Sequence, residues 1–331
     1  MNRKIILFFM SSLMFLKIKG IGELYIPELI SLFCRINTLT IIKIAGSGHI
    51  GTSMSALDLF VWIKYFQFPL DKKKTKDKNR NIFFSSKGHD VPALYSVLYS
   101  LDIIKIKEFL KLRRIDGLDG HPDISINGIE ANTGSLGMGI SKAKGIAWSK
   151  NYLKQKGKVV VLTGDGEFQE GQNFEALQCA SHQKINNLIV IIDHNKIQSS
   201  QFVKNIISLR DLKKKISSFG WHVERCNGHS FNSLSKIFKK FEKINDKPKL
   251  LIADTIKGKG IELIEHPNFM KKNKFYNWHS GAPEDKVYSE MIAELVDKTK
   301  KKLKENKILI KPFLNIKKNL VKNKNKSLEI H

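Results

Sequence analysis

The sequence predicts an α/β fold in which a parallel sheet is flanked by helices on both faces. Two observations indicate this class. Four short runs rich in β-branched and aliphatic residues are apolar at nearly every position, as is typical of strands buried on both faces. The clearest helical pattern lies between two of these runs, and that order predicts a right-handed crossover between parallel strands. With 331 residues, 42% of them hydrophobic, the chain can build a large core.

The predicted elements follow in chain order. The four strands are "NIFFSS" at 81–86, "KVVVLT" at 158–163, "NLIVIID" at 187–193 and "KLLIADT" at 249–255. The helix is "EGQNFEALQCASHQK" at 170–184, in which Phe174, Leu177 and either Ala180 or Ser181 recur at helical spacing. Because this helix separates the second and third strands, we expect those two strands to be parallel.

The chain divides into three parts by composition. We predict a hydrophobic and basic extension over 1–20, one domain over 21–290 and a lysine-rich tail over 291–331. The extension has the basic and apolar regions of a signal peptide but lacks a small-residue cleavage site. Its apolar run is shorter than the roughly 20 residues that span a bilayer, so we expect no membrane span. A dispensable extension, a start at Met10 or Met14, and a targeting segment are the alternatives.

Charge and cysteine usage restrict the function classes. The net charge of +26 is concentrated at the ends, with +9 from residues 297–331 and +4 from residues 1–20. No arginine-rich stripe accompanies the rest, so nucleic-acid binding is not expected as the main role. The three cysteines form no CxxC pair, which predicts neither a disulfide framework nor a zinc site and fits a cytoplasmic location.

Polar side chains follow the second and third predicted strands. Asp165 comes just after one strand and Asn195 just after the other. Ligands of parallel sheets bind beyond the carboxyl ends of the strands, and carboxylate and amide oxygens suit Mg²⁺. Gly164 and Gly166 let the backbone approach a phosphate, and the helix that follows points its positive end to the same place. The sequence therefore predicts a magnesium and phosphate site at this edge.

A wider pattern surrounds these residues. The segment from "GDGEFQEGQNFEA" to "NNLIVIIDHNKIQ" resembles the thiamine diphosphate motif in the form found in transketolases. Further blocks of the same family appear in order: "SGHIG", "SKGHDVPALYSVL", "GHPD", "GIEANTGSLGMGIS", "FGW", "GHS", "DTIKGKG" and "WHSGAP". The resemblance to the transketolase family covers roughly residues 25–290.

The resemblance implies a role for each matching position. The side chains of Asp165 and Asn195 and the carbonyl of Ile197 would hold the divalent metal, Mg²⁺ or else Ca²⁺ or Mn²⁺. Thiamine diphosphate would be contacted by His89, Gly134, Leu136, Gly166, Asn195 and His279. Glu170 and Glu175 would lie at the subunit contact, near the partner's share of the cofactor site. His49, His121 and His279 would be catalytic, because imidazole exchanges protons with sugar hydroxyls near neutral pH.

The resemblance stops short of a complete enzyme. Full-length transketolases continue through a pyrimidine-binding domain that supplies an activating glutamate, whereas here a lysine-rich tail follows "WHSGAP". We therefore expect the N-terminal, diphosphate-binding subunit of a split transketolase. It would transfer a two-carbon ketol unit between sugar phosphates, in a heterotetramer with a separate subunit that carries the pyrimidine-binding domain.

Other functions stay open or are disfavoured. A subunit of another thiamine diphosphate enzyme, similar to deoxyxylulose phosphate synthase or to a 2-oxo acid dehydrogenase, is one alternative, and a non-catalytic relic is another. The "GHPD" and "WHSGAP" blocks favour transketolase. A nicotinamide dehydrogenase is not expected, because "TGSLGMGIS" has the wrong spacing for a dinucleotide fingerprint and no strand leads into it.

Some positions depart from the family pattern. Phe174 stands where tryptophan is usual, and Asn186 replaces a common aspartate. Ser199 and Ser200 replace a frequent Asp-Gly pair, which alters a turn beside a predicted metal ligand. Glu167 is interpreted as an ordinary acid in the first turn of a helix, favoured by the helix dipole.

Overall fold

A computed structural model describes residues 26–71 and 76–306. Its main sheet has five strands: β1 (Ile82–Ser85), β2 (Val159–Gly164), β3 (Leu188–His194), β6 (His222–Asn227) and β7 (Lys249–Asp254). Their order across the sheet is β1-β2-β3-β7-β6, and every neighbouring pair is parallel. A short antiparallel ribbon is formed by β4 (Ile197–Gln198) and β5 (Gln201–Phe202). The predicted extension over 1–20 and the end of the predicted tail lie outside the described residues.

The sheet confirms the predicted fold class. All four predicted strands are present, and β2 and β3 are direct neighbours, with Gly164 opposite Asp193. Sequence reasoning missed β6, whose residues "HVERCN" are mostly polar. As an edge strand, β6 is largely unburied along its length, so it lacks the continuous apolar run that marks the central strands.

Helices cover both faces of the sheet. They are α1 (Pro27–Ala45), α2 (Ile50–Val61), α3 (Val91–Ser100), α4 (Ile106–Phe109), α5 (Gly139–Tyr152), α6 (Gly171–His182), α7 (Val203–Ile206), α8 (Leu212–Ser217), α9 (Phe231–Glu242), α10 (His266–Lys272) and α11 (Asp285–Glu305). A π-helical turn, Trp62–Gln67, extends α2. None of the helices in the described ranges has the length and apolar character needed to cross a membrane.

The strands send alternate side chains into two cores. Val160 and Leu162 of β2 join a cluster with α2, α3 and α9. Val159 and Val161 of the same strand join a second cluster with α5, α6 and α8 on the opposite face. Because residues of a strand alternate between faces, an unbroken apolar run is what a strand covered on both sides requires.

Helix α11 packs against α1 and crosses the predicted domain boundary at residue 290. Its buried residues include Tyr288, Met291, Leu295 and Leu303. These positions recur at helical spacing, so the lysines between them face solvent while the apolar stripe packs on the domain. The part of the predicted tail up to Asn306 therefore belongs to the folded domain. Its apolar residues recur at helical spacing and pack on the domain, although lysines lie between them.

Candidate active site

The predicted metal ligands meet at the carboxyl edge of the sheet. Asp165 is 2% exposed, and its Oδ1 accepts a hydrogen bond from the Gly166 N–H at 2.8 Å. Its Oδ2 accepts from the Lys196 N–H at 2.5 Å, which ties it to the loop after β3. In that loop the Asn195 Oδ1 accepts from the Ile197 N–H at 3.1 Å. The structure thus brings together all three predicted ligands.

This group offers one carboxylate, one amide and one main-chain carbonyl. Among residues 26–71 and 76–306, no group of three or more His, Cys, Asp and Glu side chains is arranged to hold a metal ion. An all-oxygen set with a single carboxylate suits Mg²⁺, which commonly takes one or two carboxylates and completes its shell with phosphate oxygens and water. The donor set therefore fits a metal that arrives with a phosphate ligand.

Asp193 orients the side chain of Asn195 through a hydrogen bond. The Asn195 Nδ2 donates to the Asp193 Oδ2 at 3.2 Å, and Asp193 is fully buried. The same carboxylate oxygen accepts from the Lys87 Nζ at 2.5 Å and from the Ser55 hydroxyl at 2.7 Å. Because the amide nitrogen is engaged with the carboxylate, the Asn195 oxygen lies on the opposite side of the amide, where it accepts from the Ile197 N–H. Sequence reasoning missed Lys87 and Asp193, although both lie within the quoted blocks.

Lys257 reaches the same edge from the loop after β7. It is 2% exposed, and its Nζ donates to the Ile197 carbonyl at 3.1 Å and to the Ser199 carbonyl at 3.3 Å. It also lies 3.3 Å from the His279 Nδ1. Within the part of the chain that the structure describes, Lys257 forms no ion pair with a carboxylate. Sequence reasoning missed it because nothing in "DTIKGKG" says which lysine is buried.

Burial shifts the pKa values of Asp165 and Lys257 toward neutrality. It raises the pKa of Asp165 to about 6 and lowers the pKa of Lys257 to about 7. Desolvation disfavours the charged form of any group. Among the described residues, no ion pair offsets this effect for Asp165 or Lys257. A buried cation without a paired anion fits an anionic ligand such as a diphosphate.

Three of the four predicted histidines form a cluster beside Lys257. The ring centroids of His49 lie 5.1 Å from His89 and 5.2 Å from His279, and the latter two rings are 5.8 Å apart. Burial, helped by nearby positive charges, lowers the pKa of His49 and His279 to about 4. The Nδ1 of His49 is buried without a hydrogen-bond partner among the described residues. Neutral imidazoles of this kind can accept or donate a proton.

His121 joins the site through the glycine-rich loop. A Cβ at Gly134 would come within 2.7 Å of the His121 ring, and Gly134 has a φ of +136° that disfavours other residues. A Cβ at Gly88, next to His89, would meet the Gly134 Cα at 2.7 Å. Leu136 follows in the same loop with 38% of its surface exposed. Because Gly88 and Gly134 have no side chains, the two loops that carry them can approach each other closely at the site.

Glu167 has a different place from the one interpreted from the sequence. It is 4% exposed, and it accepts hydrogen bonds from the Gly164 N–H at 3.0 Å and the Gly137 N–H at 2.9 Å. The Ser86 hydroxyl donates to the same carboxylate. Glu167 therefore joins the ends of β1 and β2 to the glycine-rich loop. Glu167 does lie in the first turn of a short 3-10 helix, Glu167–Gln169. The interpretation as an ordinary acid was wrong, because helix position alone does not show which loops pack over a side chain.

Glu170 and Glu175 are both exposed near the N-terminal half of α6. Glu170 is the residue before α6 and lies beside the glycine-rich loop, since a Cβ at Gly137 would come within 2.6 Å of the Glu170 Cβ. Glu175 lies farther along, within the helix. Their predicted contact with a partner subunit stays a prediction.

Comparison with known proteins identifies the domain. A family profile described as "Transketolase, thiamine diphosphate binding domain" matches residues 28–268. The chain belongs to the transketolase family. This match confirms the family and the cofactor-binding domain that the motifs predicted.

Relatives of this transketolase-family chain fall into two size classes. The chain is 35% identical over 273 residues to an apulose-4-phosphate transketolase subunit of Phocaeicola vulgatus, covering 82% of this chain and 94% of that one. It is 32% identical over 262 residues to human transketolase, covering 78% of this chain but 40% of the human protein. A crystal structure of Campylobacter jejuni transketolase matches with a TM-score of 0.73 and 26% identity, over 81% of this chain and 42% of that one. The chain thus spans about two fifths of the length of these larger transketolases.

Proposed function

We propose that the chain is the diphosphate-binding subunit of a split transketolase, which transfers a two-carbon ketol unit between sugar phosphates. The observation that carries the proposal is the carboxyl edge of the sheet, where Lys257, which has no ion pair among the described residues, lies near Asp165 and beside a cluster of neutral histidines. The length of the chain supports it as well. It covers 94% and 89% of two relatives whose names describe them as subunits of a transketolase.

The metal and diphosphate would be held by the group at this edge. Asp165, Asn195 and the Ile197 carbonyl would ligate Mg²⁺, or Ca²⁺ or Mn²⁺ in its place. The Gly166 N–H and the Lys257 ammonium would bind the diphosphate, since a positive group in a buried site binds an anion strongly. When bound, thiamine diphosphate supplies the nucleophilic carbon and the electron sink for carbon–carbon bond cleavage.

The histidines would handle protons and sugar hydroxyls. His49, His121 and His279 would bind and deprotonate hydroxyl groups, for which a neutral ring with a free nitrogen is required. The unpartnered Nδ1 of His49 is such an atom. His89, next to Gly88, would approach the diphosphate together with Gly134 and Leu136 of the glycine-rich loop.

A separate subunit with a pyrimidine-binding domain would complete the site. Glu170 and Glu175 are exposed beside the cofactor loop, where they would meet that partner in a heterotetramer of two chain types. All three cysteines are free, which agrees with a cytoplasmic enzyme.

Reconstitution tests the proposal. The purified full chain is expected to show no ketol transfer alone, and activity should appear when it is mixed with the pyrimidine-domain subunit, thiamine diphosphate and Mg²⁺. The donor panel should include apulose 4-phosphate, because two relatives carry that substrate in their names. Full activity of the purified chain alone would refute the split-subunit proposal.

A further inference from the structure

A second buried group of charges lies behind the loop that carries Lys257. The Arg35 guanidinium donates two hydrogen bonds to Asp58, at 2.9 and 2.8 Å. The Asp58 Oδ2 also accepts from the His229 Nδ1 at 2.7 Å. Arg35 and Asp58 are 4% and 5% exposed. None of the hydrogen bonds described for the three side chains reaches a predicted metal ligand. We call Arg35, Asp58 and His229 the buried triad.

The buried triad holds the main chain on both sides of Lys257. The Ile256 N–H donates to the His229 Nε2 at 2.9 Å. Two residues after Lys257, the Lys259 carbonyl accepts from the Arg35 Nε at 2.9 Å. Since the Nε2 of His229 accepts from an amide, its Nδ1 must carry the proton that goes to Asp58. The residues before and after Lys257 are therefore tied to one rigid group.

The loop also packs directly on the triad. Gly260 has a φ of +98°, and a Cβ there would meet the Arg35 Cδ at 2.6 Å. Gly258 adds a third anchor, because its N–H donates to the Gly51 carbonyl at 2.9 Å. A lysine side chain has four rotatable bonds, and here its ammonium is held by neutral atoms alone. Its position therefore depends on how firmly the main chain beneath it is fixed.

We propose that the buried triad is a positioning device, which fixes the 255–260 loop so that the Lys257 ammonium faces the diphosphate. His229 is the positioning residue that acts through Lys257, and neither it nor Asp58 touches the ligand. This inference rests on the proposed function for its consequence in cofactor binding, whereas the fixing of the loop stands on the structure of the chain itself.

Hydrogen exchange of the ligand-free full chain tests the fixing directly. In His229→Ala the Ile256 amide loses its acceptor, so exchange in residues 254–260 should be at least about tenfold faster. The matched control is His222→Ala, which removes a partly exposed imidazole near Glu224 on β6 and should leave this loop unchanged. His229→Gln keeps one donor and one acceptor and should restore most of the protection.

Two outcomes of the exchange experiment would overturn the proposal. One is unchanged exchange of the loop in a folded His229→Ala chain. The other applies if the alanine variant does not fold. It is unchanged exchange of the loop in a folded His229→Leu chain, which also lacks the acceptor for the Ile256 N–H.

A double-mutant cycle tests the link to the cofactor. By titration calorimetry with thiamine diphosphate and Mg²⁺, His229→Ala and Lys257→Met should each weaken affinity by roughly tenfold. If His229 acts through Lys257, the double variant should lose no more than Lys257→Met alone. Additive losses, about a hundredfold together, would contradict positioning through Lys257.

If the wild-type chain and its complex bind no thiamine diphosphate, the proposed function fails, and the exchange experiment still decides whether the triad fixes the loop.

Discussion

The buried triad and the group formed by Asp165 and Lys257 have opposite character. In the buried triad, Asp58 faces the guanidinium of Arg35 at 2.8 Å and the ring of His229 at 2.7 Å. Although burial opposes ionisation, Arg35 holds the pKa of Asp58 well below its usual range. At the carboxyl edge of the sheet, burial instead raises the pKa of Asp165 to about 6, because the main-chain amides that donate to this carboxylate lower its pKa too little to offset desolvation.

The difference separates a structural group from a binding group. A buried charge with a partner is compatible with a stable fold, whereas a buried charge without one is costly unless the group neutralises or a ligand supplies the partner. Lys257 and Asp165 have nearly the same exposure as Asp58 but lack its ion pair. The unpaired group is therefore where we expect the metal and diphosphate, and four variants or conditions can break this contrast.

Asp58→Ala should have the largest effect, and on stability. It leaves Arg35 buried without its carboxylate, which should lower the free energy of unfolding by roughly 3–5 kcal/mol. Chemical denaturation measures this change. The matched control is Asp254→Ala, whose partners Arg225 and His194 are both more exposed than Arg35, so its loss should be clearly smaller, about 1 kcal/mol. Equal losses in the two variants would mean that burial does not separate the two pairs.

Asp165→Ala should instead act on cofactor binding. Loss of the single carboxylate ligand should weaken metal-dependent binding of thiamine diphosphate by about a hundredfold in titration calorimetry. Because the folded pKa of about 6 lies above the ordinary value of 3.8, any stabilisation from this carboxyl is lost as pH rises through 6. At pH 8 the variant should therefore lose less stability than Asp58→Ala. An unchanged affinity would remove Asp165 from the site.

Lys257→Met should weaken cofactor binding by roughly tenfold while leaving stability unchanged or raised, since it replaces an unpaired buried cation by an apolar side chain of similar length. Lys259→Met is the control, because Lys259 is partly exposed and is paired with Glu265. Affinity and thermal unfolding are measured on the same samples. A clear loss of stability without loss of affinity would assign Lys257 a structural role.

The pH dependence of affinity should reflect both groups. Asp165 must be ionised to bind metal, so affinity should fall by up to tenfold per unit below about pH 6. Lys257 must be protonated to bind diphosphate, so affinity should also fall above about pH 7, more gradually because a bound anion raises the pKa of the ammonium. Asp165→Asn should flatten the acid side and Lys257→Met the alkaline side. A profile that neither variant alters would separate these groups from binding.

The sequence predicts the parts of this molecule that depend on local pattern. Strands β2 and β3 are apolar throughout because helices cover both faces, and Asp165 and Asn195 follow them directly. Strand β6 escaped prediction because an edge strand needs no continuous apolar run. The predicted domain boundary at residue 290 falls inside helix α11. The many lysines after this residue made the segment resemble a tail, although its apolar residues recur at helical spacing.

The pairing of buried charges could not be predicted in this way. Lys257 contacts the carbonyls of Ile197 and Ser199, which lie 60 and 58 residues earlier in the sequence. The sequence near Lys257 does not show whether such distant partners are carbonyls or carboxylates. Glu167 likewise contacts Ser86, 81 residues earlier, which no helix pattern reveals. Motifs therefore located the site, but the difference between a paired and an unpaired charge needed the three-dimensional arrangement.

The most direct test of the unpaired group is a titration of the full chain, both by itself and with its partner subunit, with thiamine diphosphate and with thiamine. Each titration is made in Mg²⁺ and again in excess EDTA. We predict that thiamine diphosphate binds in Mg²⁺, and that removing either the metal or the diphosphate weakens binding by at least about a hundredfold. Thiamine that binds as tightly as thiamine diphosphate, or an affinity that EDTA leaves unchanged, would contradict the assignment of this edge as a metal and diphosphate site.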